Sequence, residues 1–309
     1  MVTTGILLGL LAATCQSSSY ICSKIFSERH PNLTLEFLLY THFQMFLVSS
    51  IITVYYWPSH LPPLEDYAID FLLMVFPYFV AQSLLIFILK THPASKISPL
   101  LALKIIILIC ISMVFMDKTY STPQWLAFAM VIGAAFLLNK ISGGIGLKHI
   151  FLIFFACIGY SLSDIYIEKV VSHFSYMGEI KGKVFTTSLC YTFLGFVVIP
   201  ILPFVKRLSK KEFVDAIPFS CAWLLAMMFL FSSFGLIGAV YGNIVQSTRG
   251  VISILIGSII AWKGYVHLEN TTNFKVFFKR IFAALLITLA IIVFNLYKMD
   301  VLPIAEIKH

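Results

Sequence analysis

Two strong cations stand alone among aliphatic residues in this chain. Lys104 sits in the middle of SPLLALKIIILICIS, and Arg249 heads the run RGVISILIGSII. A guanidinium can grip a phosphate or carboxylate through two parallel N–H bonds, and an ammonium offers a compact point charge. Helical spacing gathers Gln246, Gly250, Ser253 and Gly257 onto one polar, small-residue face with Arg249. Asp164 and Glu168 follow Tyr160 at i+4 and i+8, where carboxylates could balance a cation or carry a proton. Glu36, Tyr40 and Gln44 repeat that spacing, Cys15, Ser18, Ser19 and Cys22 form a small polar stripe, and Gln82 and Ser83 add further polar groups. The candidate binding residues are therefore Lys104, Arg249, Gln246, Ser253, Ser18, Ser19, Tyr40, Gln44, Gln82 and Tyr160. Asp164 and Glu168 are the candidate proton carriers or counter-ions.

Each of these residues also has a plainer reading. Lys104 lies about 10 Å into its apolar run at 1.5 Å per residue, so its long side chain could snorkel to the lipid headgroups. A Lys104–Asp164 or Arg249–Glu168 pair could simply satisfy buried charge. Glu36 and Glu168 stand near the ends of apolar runs and could be interfacial. Small residues are as often packing surfaces as site linings. His42 has no second histidine or cysteine at ligand spacing, so it implies no metal site. No HExxH, DDxxD, GxGD or HxxxxD pattern occurs, which argues against a membrane enzyme, and nothing implies a cofactor.

The elements that must position these groups follow from composition. Hydrophobic residues make up 60% of the 309 and charged residues 12%, with 29 Phe and a mean hydropathy of +0.94. Soluble domains carry about 45–50% apolar and about 25% charged residues. Runs of about 20 apolar residues, enough to span a bilayer as a helix, recur throughout. Ten spans are predicted: Thr4–Ile25, Leu33–Tyr56, Tyr67–Leu89, Ile97–Met116, Pro123–Asn139, His149–Val171, Val184–Pro203, Ala216–Tyr241, Asn243–Trp262 and Val276–Tyr297, with a kink at Pro77. Apolar residues cover nearly all sides of these runs instead of alternating, which selects helices over a barrel. The loops are too short to fold alone, so the chain is expected to be an all-α, multi-pass membrane protein, in a bacterial inner membrane.

The first run lacks a basic leading segment and exceeds 20 residues, so it reads as a retained helix. Its LAATC matches a lipoprotein box only loosely. All six cysteines fall inside spans, so no disulfide framework is indicated. The +8 net charge belongs to loops at a bilayer, a topology and headgroup signal before a nucleic-acid one, and no nucleic-acid partner is expected.

A shift of 145 residues pairs Lys104 with Arg249, Lys24 with Lys169, Ser18 with Ser163, Lys118 with Lys263 and Tyr120 with Tyr265. Charged residues are scarce enough for this to signal an internal repeat. It divides the chain into residues 1–140, a linker at 141–147 and residues 148–309, each half with five spans. An odd number of spans sets the halves in opposite orientations.

The segment THPASKISPLLALKIIILICISMVFMDKTYSTPQWLAFAMVIGAAFLLN resembles the end of an EamA-like half in the drug/metabolite transporter superfamily. The residues that carry the resemblance are Ala94 and Pro99 entering the fourth helix, Asp117 where a glutamate is usual, Gln124 and Gly133. The second half departs from the pattern, with Lys263 in AWKGYVHLEN where an acidic residue is expected. The resemblance implies a ten-helix secondary transporter of a small molecule, working by alternating access, with its site at the midplane between the halves. Lys104 and Arg249 then look like the basic pair of the organic-phosphate and nucleotide-sugar branch, which points to a phosphate- or carboxylate-bearing substrate. The alternative is a proton-coupled exporter of amino acids or drugs, with Asp164 carrying the proton and Lys104 as its counter-ion.

Orientation signals conflict. The odd loops are richer in basic residues (among them Lys206, Arg207, Lys210, Lys211, Lys263, Lys275, Lys279 and Arg280), which puts both termini outside, whereas the resemblance puts both inside. NLT at Asn32 and NTT at Asn270 match glycosylation sequons, which short motifs do by chance.

Overall fold

With no water in the hydrocarbon to bond their N–H and C=O groups, apolar runs must satisfy the backbone internally, and the helix does this within one segment. The computed structural model describes residues 2–116, 145–264 and 274–299, with scattered positions between 121 and 137. Among the described residues there is no strand. The helices are α1 (Val2–Arg29), α2 (Thr34–Tyr55), α3 (Leu64–Thr91), α4 (Ala94–Leu100), α5 (Lys104–Met116), α6 (Leu147–His173), α7 (Lys181–Val198), α8 (Lys210–Gln246), α9 (Arg249–Trp262) and α10 (Phe274–Met299). Among the described residues, seven helical stretches are long and apolar enough to cross a membrane, and Arg249–Trp262 is a shorter apolar helix. All six cysteines are free.

Beyond shifts of a few residues at their ends, the spans predicted from the sequence differ from these helices in two places. The fourth begins at Ala94 and is interrupted by a 3-10 turn, Leu101–Leu103, before Lys104. The boundary between the eighth and ninth lies at Gly238, not beside Gly242. Gly238 has φ 79 and ψ 158 inside α8, a conformation that only glycine adopts cheaply, so residues 239–246 start a new helical piece. α3 continues on both sides of Pro77, the residue at which a kink is expected. The predicted span Pro123–Asn139 is described only at scattered positions. Asp117, Lys118, Tyr120, Gln124, Tyr265 and the sequon at Asn270 lie outside the described residues.

α1 packs along α8, α3 along α6, α2 along α7 and α4 along α9. Close approach depends on small residues. A Cβ on Gly159 of α6 would lie 2.7 Å from the Pro77 carbonyl oxygen of α3, so glycine lets those helices touch. Side-chain contacts sort the loops into two ends. Asp215, at the start of α8, meets Arg29 at 3.2 Å and His30 at 3.0 Å, while Tyr176 donates to the His60 carbonyl at 2.6 Å across the other end. The buried aromatics include a ladder in which Phe26 stacks on Phe37 and Phe219 on Trp223.

Candidate functional site

Two broken helices meet in the middle of the molecule. α4 holds Pro99, and a three-residue turn separates it from α5, whose first residue is Lys104. Residues 239–246 follow Gly238, and the Ser247–Thr248 turn separates them from α9, whose first residue is Arg249. Each cation thus stands ten residues beyond the start of its broken helix, Ala94 or Ala239. At 1.5 Å per residue that is about 15 Å, half of a hydrocarbon core about 30 Å thick. The two breaks touch: a Cβ on Gly250 would fall 3.0 Å from Pro99 Cα. Hydroxyls fasten them to their neighbours. Ser17 and Ser98 donate to the Arg249 carbonyl at 3.1 and 3.2 Å, and Ser161 donates to the Lys104 carbonyl at 2.7 Å.

The two cations have unequal surroundings. Lys104 Nζ lies 2.9 Å from Asp164 Oδ2, donates to Gln246 Oε1 at 2.6 Å and stands 5.9 Å from the centre of the Tyr160 ring. Asn243 Nδ2 donates to the same Asp164 oxygen at 2.9 Å, so this pair is matched in charge and hydrogen-bonded. Arg249 Nη1 donates to Gln16 Oε1 at 3.1 Å, an oxygen that also accepts Gln246 Nε2 at 2.9 Å. Arg249 Nε is buried without a hydrogen-bond partner, and among the described residues no carboxylate lies within ion-pair distance of Arg249. The cluster of Lys104, Arg249 and Asp164 carries a net charge of +1 when all three are ionised.

Beside the charges lies a small cavity of about 20 Å³, room for a single water. Gln16, Lys104, Asp164 and Arg249 form its polar side, and Tyr20, Tyr78, Tyr160, Tyr191 and Trp223 its aromatic side. Trp223 Nε1 donates to the hydroxyl oxygens of Tyr78 and Tyr191 at 2.6 and 2.8 Å, and the Tyr191 hydroxyl donates to Tyr78 at 2.9 Å. Tyr160 donates to Gln82 Oε1. A polar floor under aromatic walls can hold an anionic head against an apolar or ring-bearing body. At this volume the site is closed around itself.

Of the residues singled out from the sequence, Lys104, Arg249, Gln246, Tyr160 and Asp164 come together here, and Gln82 joins through Tyr160. Ser253 lies one layer behind, 3.1 Å from Ser17. Lys104 is 4% exposed and does not snorkel. The Lys104–Asp164 pair forms and the Arg249–Glu168 pair does not: Glu168 Oε2 instead accepts the Ala239 N–H at 2.6 Å. Ser18 and Ser19 bond carbonyls of their own helix. Tyr40 and Gln44 lie apart, where Gln44 Nε2 donates to the Phe213 carbonyl at 2.7 Å and Gln44 Oε1 accepts from Ser220 at 2.6 Å. Gln16, Asn243, Tyr20, Tyr78, Tyr191 and Trp223 were missed. Two signals could have found several of them. Gln16 and Tyr20 share a helix face at i, i+4, and Tyr78 and Trp223 stand at the same 145-residue offset as the two cations.

Residues 3–140 match the family described as the EamA-like transporter family. No curated protein matches the chain. A solved structure titled only as the crystal structure of a protein is 11% identical, covers 97% of this chain and 99% of its own, and aligns with a TM-score of 0.59, a likeness of fold.

Proposed function

Starting from a chain whose residues 3–140 match the EamA-like transporter family, we propose that it is a secondary transporter of a small, anionic, phosphate- or carboxylate-bearing metabolite. It is an integral, multi-pass membrane protein, and transporters of this family act on small molecules within a bilayer. On this reading its spans form ten helices in two inverted halves, residues 1–140 and 148–309. The packing supports it: exchanging the halves turns the α1–α8 contact into the α6–α3 contact and leaves α2–α7 and α4–α9 unchanged.

The observation that carries the anionic assignment is Arg249, buried to 4% exposure with Nε unpartnered and, among the described residues, no carboxylate within ion-pair distance. An ionised group at membrane depth costs about 2.5–3.5 kcal/mol on insertion scales, and an incoming anion would offset that cost by supplying the missing charge. The breaks support alternating access as part of this reading. On this reading the half-helices move at Gly238, at residues 101–103 and at residues 247–248, around a fixed central site.

The test is counterflow in liposomes holding purified protein, comparing sugar phosphates and dicarboxylates with zwitterionic amino acids. Arg249→Met should lower anion exchange by about 30-fold or more, since removing one member of a buried charge pair costs about 2–5 kcal/mol. Exchange of anions at the wild-type rate in that variant would end the proposal. A second reading has its own observation, the 2.9 Å Lys104–Asp164 pair, which could exchange a proton. It predicts that a zwitterion or cation is carried with a proton and that Asp164→Asn uncouples it.

A further inference from the structure

Tyr40 and Gln44 lie outside the central cavity but border two recesses that meet at Phe213. The first, of about 790 Å³, is basic and polar, lined by Tyr40, Lys206, Arg207, Lys210 and Glu212 as well as Phe213. The second, of about 480 Å³, runs between α2 and α8 and is walled by Met45, Val48, Ile52, Ile217, Leu224 and Met228. Gln44 fixes the junction, because its amide donates to the Phe213 carbonyl while its oxygen accepts from Ser220. The ring of Tyr40 meets Phe213 edge-on at 6.2 Å.

The acidic side chains beside the basic recess are already engaged. Glu212 accepts the Ser209 N–H at 2.6 Å in a capping box, and Asp215 is held by Arg29 and His30. Lys206, Arg207 and Lys210 take no part in the ion pairs formed among the described residues. The apolar recess opens sideways, where Val48 and Leu225 are each 48% exposed, so it faces hydrocarbon. A soluble anion would use the first recess and leave the second empty. An amphiphile with a negative head and an alkyl chain fills both.

We propose that this composite groove binds an anionic phospholipid, its phosphate among Lys206, Arg207 and Lys210 and one acyl chain between α2 and α8. The site is separate from the central cavity. Basic residues at a membrane face attract anionic headgroups, and apolar recesses between helices accept chains.

Native mass spectrometry of the detergent-purified full chain, with phosphatidylglycerol or phosphatidylcholine added at equal concentration, tests it. Phosphatidylglycerol should stay bound under activation that strips phosphatidylcholine. Replacing Lys206, Arg207 and Lys210 together by Gln should weaken phosphatidylglycerol by about 100-fold, about fivefold per charge removed. Lys206→Arg with Lys210→Arg should retain it, which separates loss of charge from misfolding. Val48→Trp, which fills the apolar recess and leaves the lysines, should also release the lipid. Equal retention of the two lipids, unchanged binding in Val48→Trp, or inorganic phosphate displacing phosphatidylglycerol at comparable concentration would each overturn the proposal.

Discussion

Lys104 and Arg249 occupy equivalent places and lead unequal lives. Both open the inner piece of a broken helix, ten residues beyond its start, and both are 4% exposed. Both carbonyls accept serine hydroxyls, but the Lys104 side chain has a carboxylate at 2.9 Å and an amide at 2.6 Å. Arg249 has one amide oxygen, shared with Gln246, and a bare Nε. A charge that is fully answered within the protein holds the structure together. A charge answered only by amides is free to answer something else. On the proposed function, Lys104 and Asp164 would frame the site and Arg249 would meet the ligand.

The sharpest way to break that division is to remove the framing cation. Lys104→Met leaves Asp164 buried with only Asn243 to bond it, and an uncompensated buried charge costs about 3–5 kcal/mol. Thermal unfolding in detergent should show a large loss, and adding Asp164→Asn should restore most of it. If Lys104→Met unfolded like the wild type, the pair would not be a framing element. Next in size is a change that makes Arg249 resemble Lys104. Gln16→Glu would place a carboxylate about where the Gln16 oxygen now accepts Arg249, at 3.1 Å. An internal anion there competes with the substrate, so apparent affinity for anionic substrates should fall by about 30-fold, or about 2 kcal/mol, with no loss of thermal stability. Unchanged affinity would mean that Arg249 does not face the substrate.

The hinge gives a smaller effect. Gly238 stands at positive φ with room around it: a methyl added there would meet the Glu168 oxygens first, at an ordinary contact distance of 3.6 Å. Gly238→Ala should therefore cost backbone strain alone, about 1–3 kcal/mol, read as a lowered unfolding temperature. A cost near zero would show that the break at Gly238 is not held in that conformation.

The sequence carried the membrane architecture well because composition alone forces helices where water is absent. It also carried Lys104, Asp164 and Arg249, since ionisable groups inside apolar runs are conspicuous. It offered the Lys104–Asp164 pair, which forms, beside an Arg249–Glu168 pair, which does not, with nothing to choose between them. Asp164 and Glu168 lie one turn apart on the same helix, and only the register of α6 against α5 and α8 decides which of them reaches a cation. The break at Gly238 was hidden for a related reason. Leu236, Ile237, Ala239 and Val240 keep the run apolar on both sides of it, so hydropathy never falls where the backbone turns. Asn243 was lost to the misplaced boundary, having been read as a span end when it faces Asp164. Tyr40 and Gln44 show the opposite error: their spacing marks a polar face, but spacing does not say which neighbour that face meets.

The smallest effect tests how the two half-helices are started. The first four N–H groups of a helix lack internal partners and carry positive partial charge, so a carboxylate there stabilises by about 0.3–1 kcal/mol. In the second half Glu168 does this for the piece that begins at Ala239, accepting its N–H at 2.6 Å. Shifting by 145 residues puts Ser23 in the place of Glu168, yet the Ser23 hydroxyl is buried without a partner and α4 has no side-chain cap. Glu168→Gln keeps an acceptor and loses the charge, so it should cost a few tenths to about 1 kcal/mol, and Glu168→Ala about 1–2 kcal/mol. Ser23→Ala removes a hydroxyl that bonds nothing and should change stability by less than either. Hydrogen exchange at residues 239–246 localises the effect: faster exchange there in Glu168→Gln, with residues 94–100 unaffected, marks a cap specific to the second half-helix. Equal loosening of both pieces, or none, would show that packing alone holds them and that the carboxylate is incidental.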